Sequence, residues 1–284
     1  MTSVGSVVSL WRYPVKSMLG EELDNADIIE RGFTGDRAYA IIDQQTGKVA
    51  SAKHPRKWGR LLACRASYRS GLPACDSSTP VQITLPNGTV VHSGQDNINE
   101  LLSSEFGYQI TMAAKRPEKP SVENVDPFAE TETVTDIGAF MLRDGFADYA
   151  PIHLLTTASL ERLRKLNPQG QFDVRRYRPN MVVNAVSDGE GFIENSWVGQ
   201  TLSIGDEVRL HITDPAPRCI MTTLAQDDLP HDLDILRTVA QHNQVGVPAL
   251  GGRVRACVGV YAFVLKAGKV RCGDPVRIEQ PAGG

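Results

Sequence analysis

The sequence predicts a mainly β protein of the α+β class, built from two β-barrel-like domains with a few peripheral helices. Strand-like stretches recur at intervals of roughly 8–12 residues and are separated by glycine-containing turns, as in barrels and sandwiches. Helical periodicity is confined to a few segments, of which 97–106 is the clearest. A polar, proline-containing stretch at 115–135 predicts a linker or long loop. We therefore place the domains at 1–120 and 121–284.

Short strands fill the first half of the chain. The strands expected there are 4–11, 26–30, 36–43, 48–50, 60–68, 80–85 and 89–92. Gly47 lies in the turn of one predicted hairpin, and Asn87-Gly88 forms the turn of another. The helix at 97–106 follows, because its apolar residues recur with a spacing that places them on one face.

The second half mixes strands with two helices. The strands expected there are 151–155, 181–184, 208–213, 256–265 and 269–279. A helix at 158–166 is capped by Thr156 or Thr157 and ends before a proline. Another helix is expected at 232–241, and 199–205 is expected to be a turn region.

Composition describes an ordinary globular chain and narrows the classes of function. Of the 284 residues, 41% are hydrophobic and 22% are charged, and the formal net charge is −3. Because the chain has no overall positive charge, we expect neither nucleic acid nor a membrane as a partner. No apolar run approaches the roughly 18–20 residues that span a bilayer, and the N-terminus lacks the pattern of a secretory signal. We therefore expect a cytoplasmic protein.

The five cysteines are widely spaced and include no Cys-x-x-Cys pair. An odd number at such spacings argues against a disulfide framework, a zinc site or an iron–sulfur cluster. Cys64, Cys257 and Cys272 lie in strand-like segments and are typical of buried small hydrophobic residues, while Cys75 lies in a polar loop. Cys219 is the cysteine whose surroundings suggest chemistry.

Cys219 lies in the segment Asp214–Thr223, which we predict to be a short loop stiffened by two prolines. Arg218 precedes it directly, and a neighbouring fixed cation lowers the pKa of a thiol and favours the thiolate. Thr222 and Thr223 follow and supply hydroxyl groups for a ligand. A thiolate in this setting either binds a metal or attacks an electrophile.

Three chemistries are open to such a thiolate. A cysteine phosphatase needs an arginine six residues after the cysteine, where this chain has Ala225. A cysteine protease needs a histidine nearby in space, and His211, His231 and His242 leave that alternative open. The third is a lone thiolate ligand to a soft or high-valent metal whose other ligands come from a cofactor.

Basic residues next to predicted turns form a candidate site for a phosphate. They are Lys16, with Ser17 beside it, Arg37, Arg176 and Arg178. Pro179 favours an extended Arg178, so the side chains of Arg176 and Arg178 are expected to share a face. Together with Arg218 they would bind a phosphate if the fold brings them together. Asp148 directly precedes a strand, which is typical of a carboxylate that caps a loop.

Nine short motifs occur in an order that resembles the MOSC-domain family with its N-terminal β-barrel domain, and particularly bacterial relatives of the mitochondrial amidoxime-reducing component. They are Tyr13-Pro14-Val15-Lys16-Ser17, Gly35-Asp36-Arg37, Asp148 before Pro151, Ala158-Ser159-Leu160, Arg178-Pro179-Asn180, Glu194-Asn195-Ser196-Trp197, Ile204-Gly205-Asp206, Arg218-Cys219-Ile220-Met221-Thr222-Thr223 and Gly273-Asp274-Pro275-Val276.

The resemblance implies a molybdenum cofactor, whose pterin dithiolene supplies two sulfur ligands while one protein cysteine supplies a third. By the matching positions, Cys219 would be the metal ligand and Asp148 the aspartate next to the metal. The remaining positions divide by role: Lys16, Ser17 and Arg37 would hold the terminal phosphate, Arg178, Asn180 and Arg218 would line the pterin, and Thr222 and Thr223 would lie beside the cofactor.

The chain departs from the family pattern at three positions near these residues. Pro217 stands where relatives often have serine, and Tyr149 and Ala150 stand where they have small hydroxyl residues. These changes affect substrate specificity and cofactor hydrogen bonds rather than the metal ligand.

The function implied by the resemblance is reduction of N-hydroxylated compounds, such as amidoximes, hydroxylamines and N-hydroxylated bases, by removal of oxygen at the metal. Asp148 would relay protons or position a water. Because the chain has no iron–sulfur domain, we expect a separate electron-donor protein. The alternative is a cofactor carrier, or a sulfur relay through a persulfide on Cys219. A purely structural β protein is a third reading.

Overall fold

The structure is a computed structural model, and it describes residues 1–68, 79–126, 131–137, 145–185 and 191–279. Cys75 lies outside these ranges.

Strands predominate, and we number them in chain order. They are β1 (Thr2–Arg12), β2 (Glu21–Leu23), β3 (Asn25–Ile29), β4 (Gly32–Phe33), β5 (Ala40–Asp43), β6 (Arg65–Tyr68), β7 (Val81–Thr84), β8 (Val90–His92), β9 (Ile110–Ala113), β10 (Ser121–Val125), β11 (Glu132–Asp136), β12 (Ile152–Thr156), β13 (Met181–Ala185), β14 (Thr201–Ile204), β15 (Val208–Pro217), β16 (Gln244–Val247), β17 (Arg253–Lys266), β18 (Gly268–Arg271) and β19 (Pro275–Ile278).

Helices are few and short within the described ranges. They are α1 (Pro55–Trp58), α2 (Ile98–Phe106), α3 (Thr157–Leu166), α4 (Val174–Tyr177) and α5 (Asp234–His242), with 3₁₀ turns at Gly59–Ala63, Ile193–Trp197, Ile220–Thr223 and Pro248–Leu250. The predicted mainly β class with a few helices is confirmed.

The largest sheet closes into a barrel. Its strands follow the order β12-β13-β1-β19-β14-β15-β17, and β12 pairs with β17 to close the circle. Strand β15 shows how the sequence specifies it, because Val208, Leu210 and Ile212 are buried while Arg209 between them is exposed. The barrel interior is a continuous apolar core whose members include Val7, Leu10, Leu154, Val183, Ile204, Leu210 and Val260.

A second apolar core lies beside the barrel and belongs to the first half of the chain. Two small sheets, β6-β7-β8 and β5-β9, enclose it. Helix α2 adds Ile98, Leu102 and Phe106 from one face, as its periodicity predicted. Trp58 and Leu61, from α1 and the 3₁₀ turn after it, fill the centre.

The chain crosses between the two cores more than once. Strand β1 pairs with β13 and β19, and β3 pairs with β18, so the first strands lie beside strands from the C-terminal half. The division at residue 120 remains a prediction, and this pairing runs across it. The seam between the cores is where the candidate site lies.

Several local predictions were wrong for identifiable reasons. The expected linker at 115–135 contains the hairpin β10–β11, whose one fully buried residue, Val122, leaves little apolar pattern to detect. The expected turn region at 199–205 contains β14. The strand expected from residue 36 begins at Ala40, because Arg37 adopts a positive φ of 46° in a turn.

Candidate functional site

A cavity of about 430 Å³ opens at the seam between the two cores. It receives side chains from the turn after β1, from the β10–β11 hairpin, from the segment before β12 and from the barrel end of β15 and β17. Nine of the ten site residues that the sequence predicted line it: Lys16, Ser17, Arg37, Asp148, Arg178, Asn180, Arg218, Cys219 and Thr222. The fold therefore brings together residues that lie more than 200 positions apart in sequence.

Cys219 sits where a strand changes into a helical turn. The segment before it is not the predicted loop, because β15 continues through Pro217 and the Arg218 amide donates to the Ala256 carbonyl at 2.8 Å. Cys219 then precedes the 3₁₀ turn Ile220–Thr223. Its thiol is free, and the residue is half-buried at the cavity wall.

The two threonines after the cysteine have different positions. Thr222 lines the cavity, and its hydroxyl donates to the Cys219 carbonyl at 3.0 Å. Thr223 is fully buried, and its hydroxyl donates to the Ile220 carbonyl at 2.8 Å. It does not line the cavity, because successive residues of a tight helical turn face different directions, so only Thr222 of the two reaches the cavity wall.

Asp148 is held between two lysines at the cavity wall. Its Oδ1 accepts a hydrogen bond from Lys16 Nζ, and its Oδ2 lies 3.1 Å from Lys53 Nζ. Lys16 is buried and also donates to the Phe146 carbonyl at 3.0 Å. The carboxylate therefore has a cation on each oxygen.

These contacts determine the charge of Asp148. Burial alone would raise its pKa, but the charges and hydrogen bonds of Lys16 and Lys53 outweigh that effect and hold the pKa well below its usual range. Asp148 is thus held as a carboxylate by the two lysines. Its expected role, to relay protons or to position a water, stays a prediction.

Lys53 was not recognised from the sequence. Burial lowers the pKa of its ammonium group, but the charges of Asp148 and Cys219 outweigh burial and raise it, so Lys53 is a cation in the cavity that Cys219 also lines. Arg218, which the sequence placed in that role, directs its guanidinium to oxygen atoms instead. Its nitrogens donate to the Pro217 and Tyr177 carbonyls at 2.9 Å each and to the Tyr261 hydroxyl at 3.3 Å.

Two arginines of the cavity lie against the ring of one buried tyrosine. The guanidinium carbons of Arg37 and Arg178 lie 4.7 and 4.3 Å from the centre of the Tyr13 ring. Arg37 also pairs with Asp36 and donates to the Arg178 carbonyl at 3.2 Å, while Arg178 donates to the Met18 carbonyl at 2.6 Å. Both guanidinium groups are thereby fixed at the wall.

Backbone strain concentrates at this wall. Ser17, Arg37 and Arg178 have φ values of 63°, 46° and 55°, in the left-handed region that disfavours residues other than glycine. Such strain is typical of functional sites, where the surrounding structure holds a residue in an unfavourable conformation. The extended geometry predicted for Arg178 was wrong, because the residue ends helix α4 in the left-handed conformation.

Arg176 lines the same cavity as Arg178 but has different hydrogen-bond partners. It is 1% exposed, and it donates to the carbonyls of Gln171, Thr222, Leu224 and Pro230. It therefore anchors the turn that carries Thr222. Asn180 is also 1% exposed and mostly connects backbone segments, because it accepts from the His153 amide and donates to the Trp11 carbonyl.

An aromatic group forms another part of the wall. Tyr149 packs edge-on against Tyr261 with ring centres 5.4 Å apart, and its hydroxyl donates to Asp214 at 2.6 Å. Asp214 also accepts from the Ala249 amide at 2.7 Å, which ties the turn Pro248–Leu250 to the cavity. No local motif marks these contacts, since their members come from segments 35 to 65 residues apart.

No cluster of three or more His, Cys, Asp or Glu side chains suited to a metal ion occurs in the described part of the chain. Nor does any helix there combine the length and apolar character needed to cross a membrane.

Comparison with known proteins gives matches among curated proteins and among solved structures. Among curated proteins, the chain is 24% identical to Mitochondrial amidoxime-reducing component 1 of Homo sapiens, over 97% of this chain and 83% of that protein. It is 26% identical to Mitochondrial amidoxime reducing component 2 of Homo sapiens, over 97% and 84% respectively. Among solved structures, the YUAD protein from Bacillus subtilis matches 97% of this chain and 94% of its own, with a TM-score of 0.44 at 13% identity.

Two family models match along the chain. The MOSC N-terminal beta barrel domain matches residues 4–94, and the MOSC domain matches residues 142–277, which includes Cys219 and Asp148. The chain therefore belongs to the MOSC-domain family, with the family's N-terminal β-barrel domain.

Proposed function

We propose that this protein is a molybdenum-cofactor oxidoreductase that reduces N-hydroxylated compounds such as amidoximes. The observation that carries the proposal is a free, cavity-facing thiol on Cys219 in a wall lined by cations. Family membership and the similarity to amidoxime-reducing components support the same reaction class.

The residues of the cavity fit a molybdenum cofactor in two respects. First, a single thiolate is a suitable ligand for a soft or high-valent metal only if other ligands come from elsewhere, as a pterin dithiolene would provide. Second, the terminal phosphate of the cofactor needs cations and fixed donors, and Lys16, next to the strained Ser17, and the strained Arg37 would supply them from preformed turns. The buried hydroxyl of Tyr177, at the same wall, has no hydrogen-bond partner in the described structure.

Each cavity residue then has a role. Cys219 would be the protein ligand of the metal, and Lys16, Ser17 and Arg37 would hold the phosphate. Arg178, Asn180, Arg218 and Thr222 would line the pterin. When bound, the cofactor supplies the two-electron chemistry by which an N-hydroxyl group is converted to N–H and water with two protons.

The remaining wall positions the substrate. Asp148, held as a carboxylate by its two lysines, accepts a hydrogen bond from a substrate N–H or from a water. Ile137, Phe146 and Leu250 line the cavity with apolar surface and limit water there. The electrons would come from a separate donor protein.

The test measures metal content and turnover on the same preparations. Wild type, Cys219→Ala and Cys272→Ser are expressed in a host that makes the cofactor. Cys272→Ser is the matched control, because Cys272 is a free cysteine at an exposed position. We expect about one molybdenum per chain and reduction of benzamidoxime by a chemical reductant in wild type and control, and loss of both in Cys219→Ala.

Other outcomes discriminate between the candidate functions. Full activity in Cys219→Ala would refute the proposal. Stoichiometric metal and pterin without turnover of any N-hydroxylated compound would favour a cofactor carrier. A persulfide on Cys219, detected by intact mass, would favour a sulfur relay.

A further inference from the structure

The described wall of the cavity contains few acidic side chains. Asp148 is the one acidic side chain among the described residues that line it, and both of its oxygens are engaged by lysines. A cationic group that entered the cavity would therefore find no carboxylate without a partner.

Basic side chains are numerous in the same wall. Seven described lining residues carry a positive charge: Lys16, Arg37, Lys53, Arg176, Arg178, Arg218 and Arg255. Arg176, Arg178 and Arg218 make hydrogen bonds to uncharged oxygens, and none of the ion pairs among the described residues includes them. Arg255 is exposed and donates to the Val254 carbonyl. The positive charge of the wall is therefore only partly neutralised by the protein.

A bound cofactor would not remove this excess. Its terminal phosphate carries a charge of about −2 at neutral pH, and the residues assigned to it are Lys16 and Arg37. Lys53 lies apart from that assignment. Its side chain is 19% exposed, it lines the same cavity as Cys219, and its ammonium group lies 3.1 Å from Asp148 Oδ2. A substrate that enters this cavity to reach the thiol therefore meets a wall that carries the Lys53 ammonium group.

We propose, building on the proposed function, that the preferred substrates are N-hydroxylated compounds that carry an anionic group, and that Lys53 determines this preference. An anionic substituent gains from the uncompensated cations of the wall. A cationic substituent is repelled by Lys53 and has no free carboxylate to bind.

The double contact of Asp148 makes the effect of Lys53 unusually easy to test. Lys53→Met removes one cation and at the same time releases Asp148 Oδ2, which lies 3.1 Å from the lysine. The variant thus offers a carboxylate oxygen where the wild type offers an ammonium group. Lys53→Arg keeps both the charge and a donor for Asp148.

The experiment uses three probes of similar shape with the cofactor-loaded full chain. They are benzamidoxime, its 4-carboxy derivative and its 4-trimethylammoniomethyl derivative. Turnover with a chemical reductant gives kcat and KM for each probe, and calorimetry on the oxidised protein gives binding without turnover. The variants are Lys53→Met, Lys53→Arg and, as the control, Lys266→Met, which removes an exposed lysine at the opposite end of β17.

We expect wild type, Lys53→Arg and Lys266→Met to favour the anionic over the cationic probe by about tenfold in kcat/KM and in affinity, the size typical of one partly screened charge contact. Lys53→Met should lose or reverse this preference, mainly through KM. Equal use of both charged probes by wild type, or an unchanged ratio in Lys53→Met, would overturn the inference. If no probe is reduced, the proposed function fails, while the binding ratio still decides the charge preference.

Discussion

The hydrogen bond between Tyr149 and Asp214 provides a quantitative test of how the cavity wall is held. The perturbation is Tyr149→Phe, which removes one hydroxyl and keeps the ring packed against Tyr261 and Phe263. Asp214 is 2% exposed and accepts from the Tyr149 hydroxyl and from the Ala249 amide. Without the hydroxyl, a buried carboxylate keeps only one of these two partners.

The magnitude follows from the charge of the acceptor. A hydrogen bond to a charged group contributes about 1.5–3 kcal/mol, and a buried acceptor left short of a partner costs a similar amount. We therefore expect Tyr149→Phe to lower the free energy of unfolding by about 2 kcal/mol. For a chain of this length, that corresponds to a fall in Tm of about 3–4 °C.

The assay combines stability with local protection. Denaturant unfolding gives the free energy, and hydrogen exchange reports the Ala249 amide, which should exchange faster because its acceptor is less well held. Tyr108→Phe is the control, since Tyr108 is 37% exposed and packs on Trp58. The reasoning is refuted if Tyr149→Phe destabilises no more than Tyr108→Phe and leaves exchange at Ala249 unchanged.

Three further predictions concern the frame around the site. In thermal unfolding, Gly259→Ala should lower the free energy of unfolding by more than 3 kcal/mol, because the residue has a φ of 79° and a Cβ there would lie 2.4 Å from His153 Nε2. Gly47→Ala should lower it by about 1–2 kcal/mol, because Gly47 has a similar φ of 69° but open space around it. Equal effects of the two substitutions would contradict this account. Arg176→Met should cost about 3 kcal/mol or more in denaturant unfolding because four carbonyls lose a buried donor, against little change for exposed Arg237→Met. Burial raises the pKa of Glu194, and hydrogen bonds from Thr156 and Ser159 offset this only in part. The folded protein therefore holds the Glu194 proton more tightly than the unfolded chain does. Its free energy of unfolding should fall as pH rises from about 4.5 through the raised pKa. Denaturant titrations should thus show Glu194→Gln gaining on the wild type between pH 4 and pH 7, and a constant difference would disprove it.

The sequence predicted the elements whose signal is local. Helix α3 is an example, because Thr156 accepts from the Ser159 amide just as a capping threonine should. The mainly β class also followed from local alternation, as in β15. The predictions that were wrong concern elements that depend on distant contacts. Strands β10 and β11 form because Val122 packs beside Val49 and Phe146, and no pattern within the hairpin itself predicts that contact.

The site divides in the same way. Cys219, Lys16 and Arg37 stand in short ordered motifs and were found from them. Lys53 has no such motif, and its role arises only because folding places it 3.1 Å from Asp148, a residue 95 positions later. The geometry of Arg178 was missed because a residue before proline avoids the right-handed helical region, which leaves both the extended and the left-handed conformations open.

The strained turns suggest why the cavity is built at a seam rather than inside one core. The Arg37 amide donates a hydrogen bond to the Tyr13 carbonyl at 2.8 Å, and the Asp36 carboxylate accepts one from the Tyr13 amide at 2.7 Å. The backbone of Lys16 is fixed in turn, because its amide donates a hydrogen bond to the Tyr39 carbonyl at 2.9 Å. Each left-handed residue costs about 1 kcal/mol, and only the mutual bonds of the two turns make that cost tolerable. The folding of the two cores against each other thus provides the free energy that orders these cations, and an anion bound under the proposed function would cost little further conformational entropy.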